Sequence, residues 1–331
     1  MNFAWDDHRV KAAVYYENGG PDVLKYEDVP DPAVRDGEVL LRIEAVGVQG
    51  GDLLHRMVSP FPSAPHIVGY QAAGTIAAVG KGVSSVREGQ RAVAFMQSGS
   101  HAELAAIRER DVYPVPDGLD PRIAAGIPVE FGTADDCLFE FGRLRAGETV
   151  LIQAAAGGVG LAAVQLAKLA GAQVLGTASS DEKLARLASY GLDHAINYKT
   201  SDVVSSVQEI TGGRGVDLVV DPVGGSTLEG SIASLAYRGR ISWVGQAGRE
   251  PRPPHIGPLM VKSASLNGVY FGGEMEHDPA RTRTLVENLI NRVAGGELTV
   301  VIDREFPLAE AAECHRYIES RAAFGRVLLI P

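Results

Sequence analysis

The stretch Thr149-Val-Leu-Ile-Gln-Ala-Ala-Ala-Gly-Gly-Val-Gly160, continued by Leu161-Ala-Ala-Val-Gln-Leu-Ala-Lys-Leu-Ala170, has the residue types and spacing that a phosphate group requires. An apolar run of β-forming residues meets a turn of small residues. The turn opens into a segment with apolar residues at 161, 164, 166 and 169, which is a helical pattern. Strand, glycine-rich turn and helix in that order are the setting of a dinucleotide site. Gly157 and Gly158 let the backbone approach a pyrophosphate, and Gly160, after Val159, lets the helix pack closely on the strand. The N–H groups that open a helix lack acceptors of their own and face negative charge. Ala155 stands where the first glycine of G-x-G-x-x-G belongs, so a β–α turn with no ligand is the plainer alternative.

The tip of the next strand chooses between cofactors. About twenty residues past such a turn, an NAD site carries Asp or Glu for the ribose hydroxyls. Gln173-Val-Leu-Gly-Thr-Ala178 reads as that strand, and it ends in Ser179-Ser180 with no acid. Asp181 and Glu182 follow, where they cap and charge a helix N-terminus, and Lys183 lies one turn away. A hydroxyl-rich tip beside a cation suits a 2′-phosphate and favours NADPH over NADH. Spacing alone leaves Lys183 equally readable as a solvated helix lysine.

These residues need elements to hold them. A chain of 331 residues suggests two domains with a large core. Its 45% hydrophobic and 22% charged residues are ordinary for a soluble globular protein. A net charge of −10 argues against a dedicated nucleic-acid or anionic-membrane binder. Cys137 and Cys314 are the 2 cysteines, too few for a disulfide framework. No signal peptide or membrane-spanning run is expected, and the expected location is cytoplasmic. Residues 1–9 carry no assignable pattern.

From residue 10 to 128 the text is strand-like and broken by Gly and Pro: strands are expected at 11–16, 38–47, 74–80 and 91–95, in a compact β-rich barrel. From 129 the rhythm becomes βαβ, that of a doubly wound parallel sheet. Helices are expected from 134 to 141 and at 181–189, 201–210, 226–236, 282–293 and 308–320. Further strands are expected at 195–197, 216–221, 240–244, 264–270 and 326–330. The expected architecture is an α/β Rossmann domain, residues 129–271, inserted in a β-rich GroES-like domain, residues 1–128 and 272–331. A ligand cleft is expected between them.

The chain resembles the medium-chain dehydrogenase/reductase superfamily, in its zinc-independent NADPH:quinone oxidoreductase (zeta-crystallin-like) branch. The matching segments run in order along nearly the whole chain: Asn18-Gly-Gly-Pro-Asp-Val-Leu-Lys-Tyr26, Gly37-Glu-Val-Leu-Leu-Arg-Ile43, Gly69-Tyr-Gln-Ala-Ala-Gly-Thr-Ile-Ala-Ala-Val-Gly80, Ala154-Ala-Ala-Gly-Gly-Val-Gly160, Ala195-Ile-Asn-Tyr198, Asp221-Pro-Val-Gly-Gly225 and His315-Arg-Tyr-Ile-Glu-Ser-Arg321. The resemblance implies that Lys183 and Tyr198 hold the NADPH 2′-phosphate, with Ser179 and Ser180 in the same loop. It also implies that Thr133 lies close to the nicotinamide, that the backbone of Val244-Gly-Gln246 meets the carboxamide, and that Arg321 lies near the cofactor. Each has a plainer alternative: Thr133 a helix N-cap before Ala134, Tyr198 a half-buried sheet aromatic, Arg321 a surface arginine.

Zinc-dependent relatives place a cysteine just after the strand ending near Gly47 and then a Gly-His-Glu motif. Here those positions read Val46-Gly47-Val48 and Gly69-Tyr70-Gln71, and a four-cysteine lobe is absent. Zinc requires thiolate, imidazole or carboxylate ligands, so no metal site is expected. His55, His66 and His101 lack ligand spacing and read as surface or hydrogen-bonded histidines.

Without a Lewis acid, the chemistry that suits this chain is hydride transfer to an electron-poor acceptor, a quinone or an α,β-unsaturated carbonyl. Family members often have an Asn-x-x-Asp-x-Tyr segment beside the nicotinamide. Here it reads Gln49-Gly-Gly-Asp-Leu-Leu54, which keeps Asp52, replaces Asn by Gln49 and puts Leu54 at the tyrosine position. Gln49, Asp52 and Thr133 are the catalytic candidates, with His55 a further proton source and a capping role open for Asp52. Phe61, Phe131, Tyr270 and Phe271 are expected to wall the acceptor pocket or to be ordinary core. The alternatives are an enoyl-thioester reductase using Arg249, Arg252 and Lys262, a non-catalytic NADPH-binding sensor or RNA binder, and a zinc alcohol dehydrogenase. The expected partners are a small-molecule acceptor and a second copy of the chain, paired through the sheet edge at 264–270.

Overall fold

The computed structural model describes residues 9–60 and 64–331. The expectation placed on Phe61, and nearly all of the N-terminal leader, lie outside the described residues. The chain divides into two compact units: residues as far as Pro128 together with Val286–Pro331, and Val129–Leu285.

The first unit opens with β1 (Arg9–Tyr15), β2 (Lys25–Pro30), β3 (Glu38–Gly47), β4 (His66–Ile67), β5 (Gln71–Val79), β6 (Arg91–Phe95), β7 (Leu104–Arg108) and β8 (Val112–Pro114). β3 alternates as a half-buried strand must, with Val39, Leu41 and Ile43 turned into the core. It pairs antiparallel with both β5 and β7. A helix, Gly50–Val58, follows β3 directly. Two leading glycines give this segment poor helix propensity. Its amphipathic pattern and a buried Arg56 hold it in place instead.

The second unit holds β9 (Thr149–Ile152), β10 (Gln173–Ala178), β11 (His194–Asn197), β12 (Val216–Asp221), β13 (Leu235–Trp243) and β14 (Ser265–Gly268). They form a parallel sheet in the order β11-β10-β9-β12-β13-β14, the doubly wound arrangement expected, with β14 at an edge. The order reverses beside β9, and ligands bind beyond the strand C-termini at such a switch point.

Several elements differ from expectation. The first helix of this unit spans Pro128–Asp135 and runs into a π-helical turn, Asp136–Glu140, rather than starting at 134. Proline at the first helical position loses no bond there and so starts the helix early. The helix expected at 226–236 ends at Ser234, and β13 begins at Leu235 rather than at 240. Leu235 pairs with Val216 ahead of a bulge, and Arg238 takes a φ of 64°, so one extended segment absorbs an irregularity that reads locally as a helix end. Phe271–His277 forms a helix of its own before Pro279–Ala294.

The chain then returns to the first unit through β15 (Ile302–Pro307), the helix Ala311–Glu319 and β16 (Arg326–Ile330). β15 and β16 pair in parallel, and β16 joins β3 antiparallel, completing the sheet order β15-β16-β3-β5-β6-β8. Among the described residues no helix is long and apolar enough to cross a membrane.

Candidate active site

The glycine turn joins β9 to the helix Gly158–Leu169, with Gly157 as its N-cap and no side-chain cap. The N–H groups of Gly158, Val159 and Gly160 therefore open the helix without intrahelical acceptors. Gly157 is exposed, and Gly158 and Val159 are half-buried, so that end can be approached from solvent. Gly160 is buried; a Cβ there would stand 2.5 Å from the Ala154 carbonyl oxygen and 2.7 Å from the Ala155 Cα. Ala155 is fully buried, donates its N–H to the Thr177 carbonyl at 2.8 Å, and lies where a Cβ on Gly176 would meet its methyl group. It braces the turn against β10.

A buried polar chain fixes the strand ends beneath this turn. The Ala154 N–H donates to Thr177 Oγ1 at 3.1 Å, and Thr177 Oγ1 donates to Gln153 Oε1 at 2.8 Å. Gln153 Nε2 donates to Ser231 Oγ at 3.2 Å, and Ser231 donates to Asp221 at 2.7 Å. The other Asp221 oxygen accepts from the N–H groups of Val223 and Gly224. Burial pushes the Asp221 carboxyl above its ordinary range, against the pull of those bonds. Gln153 and Ser231 were not legible as site supports, because only the parallel register brings them together. The Val244 N–H bonds to the Asp221 carbonyl at 2.9 Å, and Gln246 is exposed two residues on.

The β10–β11 register pairs Ala178 with Asn197. It therefore puts Tyr198 beside Ser179 at the strand tips, and the Tyr198 N–H bonds to the Ala178 carbonyl at 3.2 Å. Ser180 caps the helix Asp181–Ala188 by accepting from the Lys183 N–H. Ser179, Ser180 and Lys183 are half-buried and Tyr198 is 41% exposed. Two hydroxyl residues, a lysine and a tyrosine thus lie along the chain at the strand tips and the helix N-terminus between them.

Thr133 lies inside the helix Pro128–Asp135, 6% exposed, so the capping role open for it in the sequence is not its role here. The Phe271 ring packs where a Cβ on neighbouring Gly132 would stand. Phe131 and Phe271 are buried, whereas Tyr270 is 76% exposed. The π-turn after Thr133 is anchored by Arg281, which donates to the fully buried Asp136 at 2.6 Å and to Glu274 at 2.9 Å.

In the first unit, Gln49 is the N-cap of the helix Gly50–Val58 and forms a capping box with Asp52. The Gln49 N–H donates to the Asp52 carboxylate at 2.8 Å, and Asp52 is fully buried. The positions where a zinc enzyme needs ligands are filled otherwise. Gln71, also fully buried, donates its amide to the Ala125 carbonyl, and a Cβ on Gly47 would collide with that same oxygen. Neither can present a thiolate or carboxylate. Among the described residues no three His, Cys, Asp or Glu side chains gather to hold a metal ion. Arg321 also lies in this unit, exposed, with a φ of 60° just after the helix Ala311–Glu319.

His101 and His315 form a buried pair that sequence spacing could not reveal, with Nε2 atoms 3.0 Å apart across 214 residues of chain. Arg56 Nη1 lies 3.1 Å from His315 Nδ1. Arginine can only donate, so His315 Nδ1 accepts, His315 Nε2–H donates to His101 Nε2, and His101 Nδ1–H points to Ser100 Oγ at 3.4 Å. Arg56 also donates to the Gly19 carbonyl at 3.1 Å and to Glu319 at 2.5 Å. Every bond is used with both rings neutral. Burial pushes His101 down to about 3 from 6.5, and burial with the neighbouring His101 and Arg56 holds His315 well below its ordinary value. Both folded values are depressed, so this contribution to stability is full above the unfolded value of 6.5 and falls away as pH drops towards 3. Each histidine costs up to about 1.4 kcal/mol per pH unit in that window. The urea midpoint is expected to be clearly lower at about pH 5 than at about pH 8; equal midpoints would contradict the assigned protonation.

Comparison with known proteins adds to this geometry. Residues 35–117 match the family described as alcohol dehydrogenase GroES-like domain, and residues 158–291 match the family described as zinc-binding dehydrogenase. The chain is 33% identical over 326 residues to a quinone oxidoreductase of Rattus norvegicus, covering 97% of this chain and 98% of the relative. It is 34% identical over 336 residues to a 2-haloacrylate reductase of a Burkholderia species, covering 97% and 99%. The crystal structure of Escherichia coli quinone oxidoreductase complexed with NADPH superposes with a TM-score of 0.91 at 30% identity, covering 97% of this chain and 100% of that one.

Proposed function

Because the chain belongs to the medium-chain dehydrogenase/reductase superfamily, in its quinone oxidoreductase branch, we propose that it reduces a quinone or another α,β-unsaturated carbonyl compound without a metal ion. It is an NADPH-dependent oxidoreductase. Bound NADPH supplies a hydride from nicotinamide C4. The helix opening at Gly158, Val159 and Gly160 receives the pyrophosphate, with Gly157 beside it and Ala155 bracing the turn. Ser179, Ser180, Lys183 and Tyr198 receive the 2′-phosphate. Thr133, Val244, Gln246 and Arg321 are assigned to the rest of the cofactor. Gln49 is assigned to the acceptor oxygen, where charge builds up, and Asp52 fixes the Gln49 turn through its N–H.

The observation that carries this reading is the acid-free strand tip with its serines, lysine and phenol at the N-terminus of the helix Asp181–Ala188. Lys183→Ala is expected to raise the NADPH dissociation constant about 10- to 100-fold and to leave NADH within about twofold, since only the former carries the 2′-phosphate. Fluorescence titration with both cofactors reads this, and equal losses would remove the assignment.

An acceptor screen with NADPH tests the reaction itself. The reading expects oxidation with 1,4-benzoquinone or 2-alkenals, and none of the crotonyl-CoA preference of a thioester reductase. The basic patch such a reductase needs is partly committed elsewhere: Arg252 pairs with Glu229 at 2.8 Å, and Lys262 donates to the Ala233 carbonyl at 2.7 Å. NADPH binding with no acceptor reduced would favour a sensor. We also assign a homodimer built on β14, an edge strand whose unit exposes Tyr237, Met260 and Val261. Light scattering that gives the monomer mass would overturn it.

A further inference from the structure

We propose that the Tyr70 phenol is the proton donor to the oxygen of the reduced acceptor, an inference that rests on the reaction assigned above. Tyr70 immediately precedes β5, and its hydroxyl lies against the first turn of the helix Gly50–Val58, where a Cβ on Gly51 would collide with it. A glycine at 51 is what lets the phenol approach. The ring is held by Phe95, 5.9 Å away between centroids, and by His55 at 6.1 Å. Its backbone is tied on both sides: the Met96 N–H bonds to the Tyr70 carbonyl at 2.8 Å, and the Ser100 N–H to the Gly69 carbonyl at 3.0 Å. The residue is half-buried against that first turn.

Two other groups of that turn do not serve as proton donors. Asp52 is fully buried with its carboxylate accepting from Gln49, and Leu54 carries no proton. When the acceptor has taken hydride, the displaced π-electron pair resides on its conjugated oxygen. The Tyr70 O–H bond then breaks, an O–H bond forms on the acceptor, and tyrosinate regains a proton from water. Each turnover thus consumes one NADPH, one acceptor and one solvent proton.

Tyr70→Phe keeps the ring and its packing and removes only the hydroxyl. With 2-hexenal the variant is expected to lose about 100-fold in kcat, with KM within about twofold and the alkaline limb of the kcat–pH profile gone. Binding of 4-nitrophenolate to the cofactor-free protein, read by its absorbance shift, is expected to weaken about tenfold, because a phenolate analogue loses its hydrogen-bond donor. Unchanged kcat, pH profile and nitrophenolate binding in a variant whose parent is active would overturn the inference and leave the reaction standing. A parent that reduces no conjugated acceptor would overturn both.

Discussion

Gly160→Val is expected to abolish useful NADPH binding, raising the dissociation constant more than about 100-fold, and to lower the stability of the second unit. A Cβ at this position would face the Ala154 carbonyl oxygen at 2.5 Å and the Ala155 Cα at 2.7 Å. Both are backbone atoms of the turn itself, so nothing can swing aside. Ala154 already holds a φ of 51°, and its N–H is fixed to Thr177, so the turn has no slack on the β10 side. The helix must move off β9, which carries the N–H groups of Gly158, Val159 and Gly160 away from the phosphate position. Overpacking of this kind costs about 1–3 kcal/mol of stability. Gly157 gives the contrast: a Cβ there meets only the Ala154 oxygen, at 3.4 Å, an ordinary contact. Gly157→Ala should fold with a normal melting temperature. Calorimetric titration of both variants with NADPH separates a lost helix position from general unfolding, and normal binding by Gly160→Val would contradict the packing argument.

Arg56→Ala is expected to lower the stability of the first unit by about 3 kcal/mol or more. The guanidinium is fully buried and serves the Gly19 carbonyl, His315 Nδ1 and Glu319 together. Removing it leaves the His315 lone pair and the Gly19 carbonyl without a donor, and it opens a cavity beneath the helix Gly50–Val58. That helix, begun by two glycines, depends on this anchor for its position. The substitution should therefore also disturb the turn bearing Gln49 and Asp52, and turnover should fall more than NADPH affinity. Denaturant unfolding checks the stability term. A loss below about 1 kcal/mol would show that the network is dispensable.

How much of this was legible in the sequence follows from the range of the interactions. Strands such as Glu38–Gly47, Arg91–Phe95, Val216–Asp221 and Arg326–Ile330 have the same bounds in sequence pattern and structure, because alternation or continuous apolar runs between turn residues are local signals. The doubly wound unit was legible for the same reason. The helix Gly50–Val58 was not, since its glycines argue against it and its support comes from His315 and Glu319 near the other end of the chain. The bulge in β13 was hidden because Leu235 and Ala236 continue a helical pattern until pairing with β12 overrides it. At the candidate site, the glycine turn and the Ser179–Lys183 tip were readable as motifs. The Gln153–Ser231–Asp221 chain, the His101–His315 pair and the approach of Tyr70 to Gly51 exist only once distant segments are brought together, and no spacing rule encodes them.

The central claim is that NADPH and the side chains of this chain suffice for hydride transfer to a conjugated acceptor. The most direct measurement is NADPH oxidation by chelator-dialysed protein, followed by loss of the reduced cofactor's near-ultraviolet absorbance with 1,4-benzoquinone and with 2-hexenal. The account predicts that NADPH disappears in step with acceptor reduced, at a rate unchanged by chelator or by added zinc. Protein that leaves NADPH intact with every acceptor, or that loses turnover to chelator and regains it with zinc, would contradict it.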